Sequence, residues 1–151
     1  MPEQPEYPLK GSCNCGYIRY EVTEPFAIQV ACHCTQCQKH TQSAFSLGGM
    51  LRPEAFRLVS GKLKSWTKTA ESGNRFECWF CPECGNRIYH GNPDPQGFLR
   101  VKLGTLDDTS VINPQVHAWV KYKQDWYEIP PGVTTFETQP DMKDVVKLLK
   151  P

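Results

Sequence analysis

Cys81-Pro82-Glu83-Cys84-Gly85 is the stretch on which the fold turns. Two thiolates at i and i+3 grip one cation from a tight turn whose backbone N–H groups point at sulfur. Pro82 stiffens such a turn, and Gly85 supplies the positive φ wanted after its second ligand. This knuckle is half of a tetrahedron. Cys13-Asn14-Cys15-Gly16, with glycine again directly after the second cysteine, supplies the other half. Structural zinc takes four such ligands at about 2.3 Å. Joining the two pairs ties distant parts of the chain together and contributes on the order of 10 kcal/mol to folding. Cys13, Cys15, Cys81 and Cys84 are therefore read as scaffold.

Three further cysteines lie in Cys32-His33-Cys34-Thr35-Gln36-Cys37. A trio separate from enough thiols to close a site suggests an open metal position, because catalytic zinc keeps three protein ligands and one exchangeable one. Three thiolates leave zinc with a net negative charge. It is then a weak Lewis acid, less able than a histidine-rich site to acidify bound water. Its natural fourth ligand is the soft sulfur of a small-molecule thiol. A free thiol with a pKa near 8.5 is only a few per cent ionised at neutral pH, so ionisation on zinc gains roughly 30-fold, or about 2 kcal/mol. Thiol chemistry is favoured over hydrolysis, and a helix starting near Cys37 would add to the stabilisation of anionic sulfur.

The alternative is a second closed site, with a fourth ligand from this chain. Cys78 precedes Cys81 by three, but Phe76, Cys78 and Phe80 share one strand face, and free cysteine packs as a small hydrophobe. His40 follows Cys37 by three and is expected to face solvent. His33 alternates away from its cysteine neighbours, either beside the ligands or at the surface. His117, in Val116-His117-Ala118-Trp119, reads as a hydrogen-bonded core histidine, with assistance to a developing alkoxide as its other role.

The 151 residues carry a formal net charge of +1. That length suits one domain with its own core, and that charge gives no strong field toward nucleic acid or anionic lipid. The first eight residues have neither a basic n-region nor an apolar h-region. No apolar run is long enough to span a bilayer, so a cytoplasmic protein is expected. Eight cysteines could form four disulfides, but that needs an oxidising compartment, and C-x-C and C-x-x-C are metal-ligand spacings. Lys62, Lys64, Trp66 and Lys68 share one strand face. This basic-aromatic stripe is read as a solvated face, and nucleic acid is not an expected partner.

Residues 1–10 are polar and Pro-rich, a loose lead-in. Residues 17–22 alternate, with Ile18, Tyr20 and Val22 on one face. Further strands are predicted over 27–31, 45–51, 56–59, 63–67, 75–80, 88–90, 98–103 and 116–122. Helical turns are predicted over 38–41 and 53–56, and Ser72-Gly73-Asn74 is a hairpin signal. Met142, Val145, Val146 and Leu149 make 141–150 a short amphipathic helix. The pattern is a mainly β single domain with little helix.

Taken together, Gly11-Ser12-Cys13-Asn14-Cys15-Gly16, Cys32-His33-Cys34-Thr35-Gln36-Cys37 and Phe80-Cys81-Pro82-Glu83-Cys84-Gly85 resemble the glutathione-dependent formaldehyde-activating enzyme family, which also includes centromere protein V. The similarity continues through Gly104-Thr105-Leu106-Asp107-Asp108, His117-Ala118-Trp119 and Trp126, roughly residues 11–136. It implies several coiled antiparallel β-sheets, the class named after the Mss-four exchange chaperone. On this resemblance 1–10 precedes the zinc-binding domain, and 137–151 is a helix packed on it. The resemblance implies two zinc ions per chain: a structural one on Cys13, Cys15, Cys81 and Cys84, and a catalytic one on Cys32, Cys34 and Cys37 that takes a glutathione sulfur. The implied reaction joins glutathione to formaldehyde as S-hydroxymethylglutathione, carbon–sulfur lyase chemistry run backwards. One departure stands out. The family commonly has glycine five residues after the third trio cysteine, and here that position is Gln42, which adds bulk beside the thiol pocket.

Overall fold

Ile18, Tyr20 and Val22 are buried to 0, 1 and 0 % exposure, as their alternation requires of a half-buried strand. The computed structural model describes residues 5–69, 73, 75–91 and 97–148. In chain order its strands are β1 (Leu9–Ser12), β2 (Arg19–Val22), β3 (Ile28–Cys32), β4 (Ser46–Leu51), β5 (Phe56–Ser60) and β6 (Lys64–Thr69). They continue as β7 (Arg75–Phe80), β8 (Arg87–Gly91), β9 (Leu99–Lys102), β10 (Val116–Ala118) and β11 (Thr134–Thr135), with helices α1 (Thr35–Thr41) and α2 (Met142–Leu148). The domain is mainly β, as its alternation predicts, and its backbone divides into two compact units. None of the helices among the described residues is long and apolar enough to cross a membrane.

The first unit is Met1–Phe26 with Gly49–Ile112. It holds the antiparallel sheet β1-β2-β5 and the antiparallel meander β6-β7-β8-β9. Aromatic side chains bind one to the other. Tyr20 stacks on Phe56 at 5.0 Å, Phe56 meets Tyr89 edge-on at 5.0 Å, and Tyr89 stacks on Trp79 at 5.9 Å. Each such pair stabilises by about 0.5–1.5 kcal/mol beyond its buried area. Gly11 makes this possible from β1: a Cβ there would sit 2.1 Å from the Tyr20 ring. The Tyr20 hydroxyl, buried with its ring, shares a 2.6 Å hydrogen bond with Thr105 Oγ1.

The second unit is Ala27–Gly48 with Asn113–Pro151. Here parallel pairing joins the antiparallel kind, because β10 runs parallel to both β3 and β11. The strand predicted over 116–122 also stops early. Trp119 takes a left-handed conformation at φ 59, which ends the pleat, and Val120–Tyr122 form one 3-10 turn. The Val120 and Lys121 N–H groups then donate to the Phe136 and Glu137 carbonyls instead of to a ladder. Val145 anchors α2 at 3 % exposure, while residues 149 and 150 of the predicted helix lie outside the described residues. So do residues 72 and 74 of the hairpin signal. At the other terminus, Leu9 and Lys10 are already paired in β1 rather than loose.

Candidate functional site

The first cysteine cluster is built by two turns of the first unit. In one, Gly16 lies at φ 79 and its N–H donates to the Cys13 carbonyl. In the other, Gly85 lies at φ 80 and its N–H donates to the Cys81 carbonyl at 2.9 Å. Both glycines sit where the knuckle requires a left-handed residue. Asn86 holds the turns together, its Oδ1 accepting the Asn14 N–H at 2.7 Å. The four sulfurs of Cys13, Cys15, Cys81 and Cys84 all lie within 4.8 Å of one another. Cys13 and Cys15 are 3.5 Å apart, and Cys15 and Cys81 are 3.7 Å apart. Four sulfurs at about 2.3 Å from one tetrahedral ion stand about 3.8 Å apart, so the spacing fits.

The electrostatics point the same way. Burial pushes the Cys13 thiol up, but the Ile18 N–H and the sulfurs of Cys15, Cys81 and Cys84 more than offset this and bring it to about 6. The Tyr17 N–H favours the Cys15 thiolate, yet burial and its sulfur neighbours drive Cys15 up to about 12. Four thiols this close do not ionise together without a cation, and a divalent soft metal removes that conflict.

The second cluster belongs to the second unit. Cys32 ends β3, Cys34 is the N-cap of α1 and Cys37 lies in its first turn. The helix begins at Thr35, three residues earlier than its sequence suggests, because the Cys34 sulfur accepts the Cys37 N–H at 3.3 Å. A thiolate thus takes the capping role usual for serine or aspartate. The three sulfurs lie within 4.8 Å of one another, half-buried. Cys34 is the thiol that ionises most readily, held far below the ordinary range by hydrogen bonds from Cys32 and Cys37 and from the Cys37 and Gln36 N–H groups. The hydrogen bond shared with Cys34 pushes Cys32 up to about 11, and those shared with Cys32 and then Cys34 push Cys37 higher still.

Among the described residues no histidine, carboxylate or fourth cysteine joins this trio. Cys78 is fully buried on β7, where Arg87 Nη1 donates to its sulfur at 3.1 Å. It is the core cysteine its strand face predicts. His40 is half-buried rather than solvent-facing. All eight cysteines are free thiols.

His33 points away from its cysteine neighbours into the interior, at 0 % exposure, so the surface placement is excluded. Its Nε2 is 2.8 Å from His117 Nδ1. Phe45 and Tyr127 pack on its ring with centroids 5.1 and 5.7 Å away. Burial lowers the pKa of both imidazoles, that of His33 to about 4, with His117 and Lys123 adding repulsion at His33. The pair is a neutral brace beneath the Cys32–Cys34 loop. His117 is engaged there and buried, a core histidine as its strand pattern suggests.

Sequence spacing gave no sign of Gln38. Its Nε2 donates to the His33 and Tyr122 carbonyls at 2.8 and 2.9 Å, and its Oε1 accepts from Gln124 at 2.7 Å. This clamp fixes α1 against the 119–127 loop. Beside it lies a basin of about 510 Å³ lined by Thr35, Gln38, Lys39, Gln42, Gln124 and Trp126, among others. Thr35, Gln38 and Gln42 lie on one face of α1, next to the face bearing Cys34 and Cys37. The basin's lining offers one cation, Lys39, and one indole, Trp126.

Gln42 also explains the departure from the glycine common at its position. It is the C-cap of α1 in the left-handed region, at φ 53, where glycine is unstrained. Gln42→Gly is expected to raise the unfolding free energy by about 1 kcal/mol. The check is a higher urea midpoint at unchanged m-value.

Three comparisons with known proteins bear on the family and the fold. The sequence profile of the glutathione-dependent formaldehyde-activating enzyme family matches residues 8–122. A Halomonas elongata protein provisionally named as such an enzyme is 24% identical over 132 residues, 80% of each chain. A Sordaria macrospora protein with the same provisional name is 24% identical over 94 residues, 58% of this chain and 39% of its own length. A Rhodobacter sphaeroides crystal structure superposes with a TM-score of 0.54 at 22% identity, over 85% of this chain and 99% of that one, a likeness of fold.

Proposed function

Since the chain belongs to the glutathione-dependent formaldehyde-activating enzyme family, we infer that it joins a small thiol to a small aldehyde, or cleaves the adduct, at Cys32, Cys34 and Cys37. The observation that carries this reading is three sulfurs within 4.8 Å and, among the described residues, no fourth ligand from the chain. Cys13, Cys15, Cys81 and Cys84, a complete set of four, would hold the structural zinc.

Zinc held by the trio would supply a cation that keeps an incoming thiol ionised at neutral pH. The residues around it bind and orient. The α1 cap fixes Cys34 and Cys37 relative to each other, and the His33–His117 brace sets the loop between Cys32 and Cys34 from behind. Gln38 holds the helix against the loop that forms the basin wall. The basin receives the body of the thiol, with Lys39 offering a cation to a carboxylate and Trp126, 72 % exposed, covering an apolar stem. In the reaction a carbon–sulfur bond forms, the carbonyl π pair moves to oxygen, and the proton lost by the thiol ends on that oxygen. The lyase direction reverses each change.

The test is to mix protein carrying zinc with formaldehyde and a thiol panel, following hydroxymethyl adduct formation by NMR exchange spectroscopy. Acceleration above the uncatalysed rate for at least one carboxylate-bearing thiol is expected. No acceleration for any thiol, with the metal present, would remove the enzymatic reading.

A further inference from the structure

Strand register joins side chains that sequence alternation leaves separate. Trp66 of β6 pairs with Cys78 of β7, Cys78 with His90 of β8, and His90 with Arg100 of β9. Paired residues share a face, so these four make one row across the meander. Residues two positions along share it too. Lys64 and Lys68 flank Trp66, and Lys102 follows Arg100. Arg87 enters through the irregularity at Trp79/Phe80 and lies across the row. Its Nη1 is 3.1 Å from both Cys78 Sγ and His90 Nε2, and its guanidinium carbon is 5.9 Å from the Trp66 ring centroid.

The other face of the meander is the one that Trp79 and Tyr89 pack toward Phe56, so the basic face turns away from β1-β2-β5. Its described strand residues include five cations (Lys64, Lys68, Arg87, Arg100 and Lys102) and no carboxylate, while Cys78 and His90 in the middle of the row are buried with Arg87 across them. The carboxylate of the meander, Glu77, alternates to the far side. Lys64 and Arg100 are exposed, and Trp66 is 52 % exposed. Among the described residues, Lys64, Lys68, Arg87 and Arg100 take part in no ion pair. In a chain of net charge +1 this is segregation of charge onto one sheet. The stripe visible in β6 alone is its edge.

We propose that this face of β6-β7-β8-β9 binds single-stranded nucleic acid, with Trp66 as a base-stacking platform and Lys64, Lys68, Arg87 and Arg100 as phosphate contacts. Cations alone would suit any polyanion. The indole selects among them: it is half-exposed on β6, with the Arg87 guanidinium over its ring, an arrangement that suits an unpaired base stacking on the open side. A duplex keeps its base faces stacked inside, and a lipid surface offers none. The face lies in the first unit, whereas Cys32, Cys34 and Cys37 lie in the second.

The experiment is fluorescence anisotropy with a labelled oligothymidylate of about twelve nucleotides, at about 50 and about 200 mM salt. Binding that weakens with salt is expected. Trp66→Ala should lower affinity about tenfold at either salt. Lys64→Glu with Lys68→Glu should flatten the slope of log affinity against log salt by about 1.4, since each single-strand phosphate contact contributes about 0.7. Both variants are first checked for an unchanged thermal transition, and Trp66→Phe, which keeps a ring, should restore most of the lost affinity. Parallel arms use polyglutamate and phosphatidylcholine–phosphatidylserine vesicles. No oligonucleotide binding at the lower salt would overturn the proposal. So would affinity unaffected by Trp66→Ala, equal affinity for polyglutamate, or binding to vesicles alone.

Discussion

Replacing Cys81 with serine is expected to abolish cooperative folding. The Cys81 sulfur is fully buried and lies 3.7 Å from Cys15, 66 residues earlier in the chain. Serine keeps the turn but supplies a poor zinc ligand, and the remaining three thiols are left crowded without the cation that reconciles them. A structural zinc site contributes on the order of 10 kcal/mol, and domains are stable by only about 5–15 kcal/mol. Losing most of that term leaves little or no net stability. The result expected in circular dichroism is a broad or absent thermal transition for Cys81→Ser, with a strong chelator producing the same change in the parent. A Cys81→Ser protein that melts cooperatively within a few degrees of the parent, with unchanged zinc content, would show that the cluster is not structural.

Cys34→Ser is expected to do the opposite, sparing the fold and removing the thiol site. Serine is itself a preferred N-cap, so its Oγ can accept the Cys37 N–H that the Cys34 sulfur now accepts at 3.3 Å. Helix α1 and the Gln38 clamp therefore survive, and the cap changes stability by no more than about 1 kcal/mol. The trio, however, loses one of its three sulfurs. Zinc content should fall by one ion per chain. Affinity for a small thiol should fall at least roughly 30-fold, the factor that ionisation supplies. The two substitutions thus separate the clusters: one is read in the melting curve, the other in metal count and thiol binding.

Cysteine spacing was readable because it is local. Gly16 and Gly85 sit at φ 79 and 80 as the two knuckles demand, and a five-residue window contains everything needed to say so. The same holds for Ile18, Tyr20 and Val22, whose burial follows from period-two alternation. What stayed hidden depends on partners far along the chain. His33 and His117 are 84 residues apart, as are Gln38 and Tyr122, and neither pair has a spacing rule. The parallel course of β10 beside β3 was missed for a related reason: three residues of strand, Val116–Ala118, carry alternation but no direction. The basic face shows the limit most plainly. Alternation gives each strand its two faces, whereas only register says that Trp66 and Arg100 share one. Gln42 is a milder case, since its left-handed cap is set by where α1 ends, which the sequence placed only loosely.

The most direct measurement is calorimetric titration of glutathione into protein carrying zinc, in two buffers of different ionisation enthalpy. A vacant position on the trio predicts one thiol bound per chain with close to one proton released, because the free thiol is almost wholly protonated at neutral pH. It also predicts that both signals vanish in Cys34→Ser. Binding without proton release, or binding that persists in Cys34→Ser, would contradict the account.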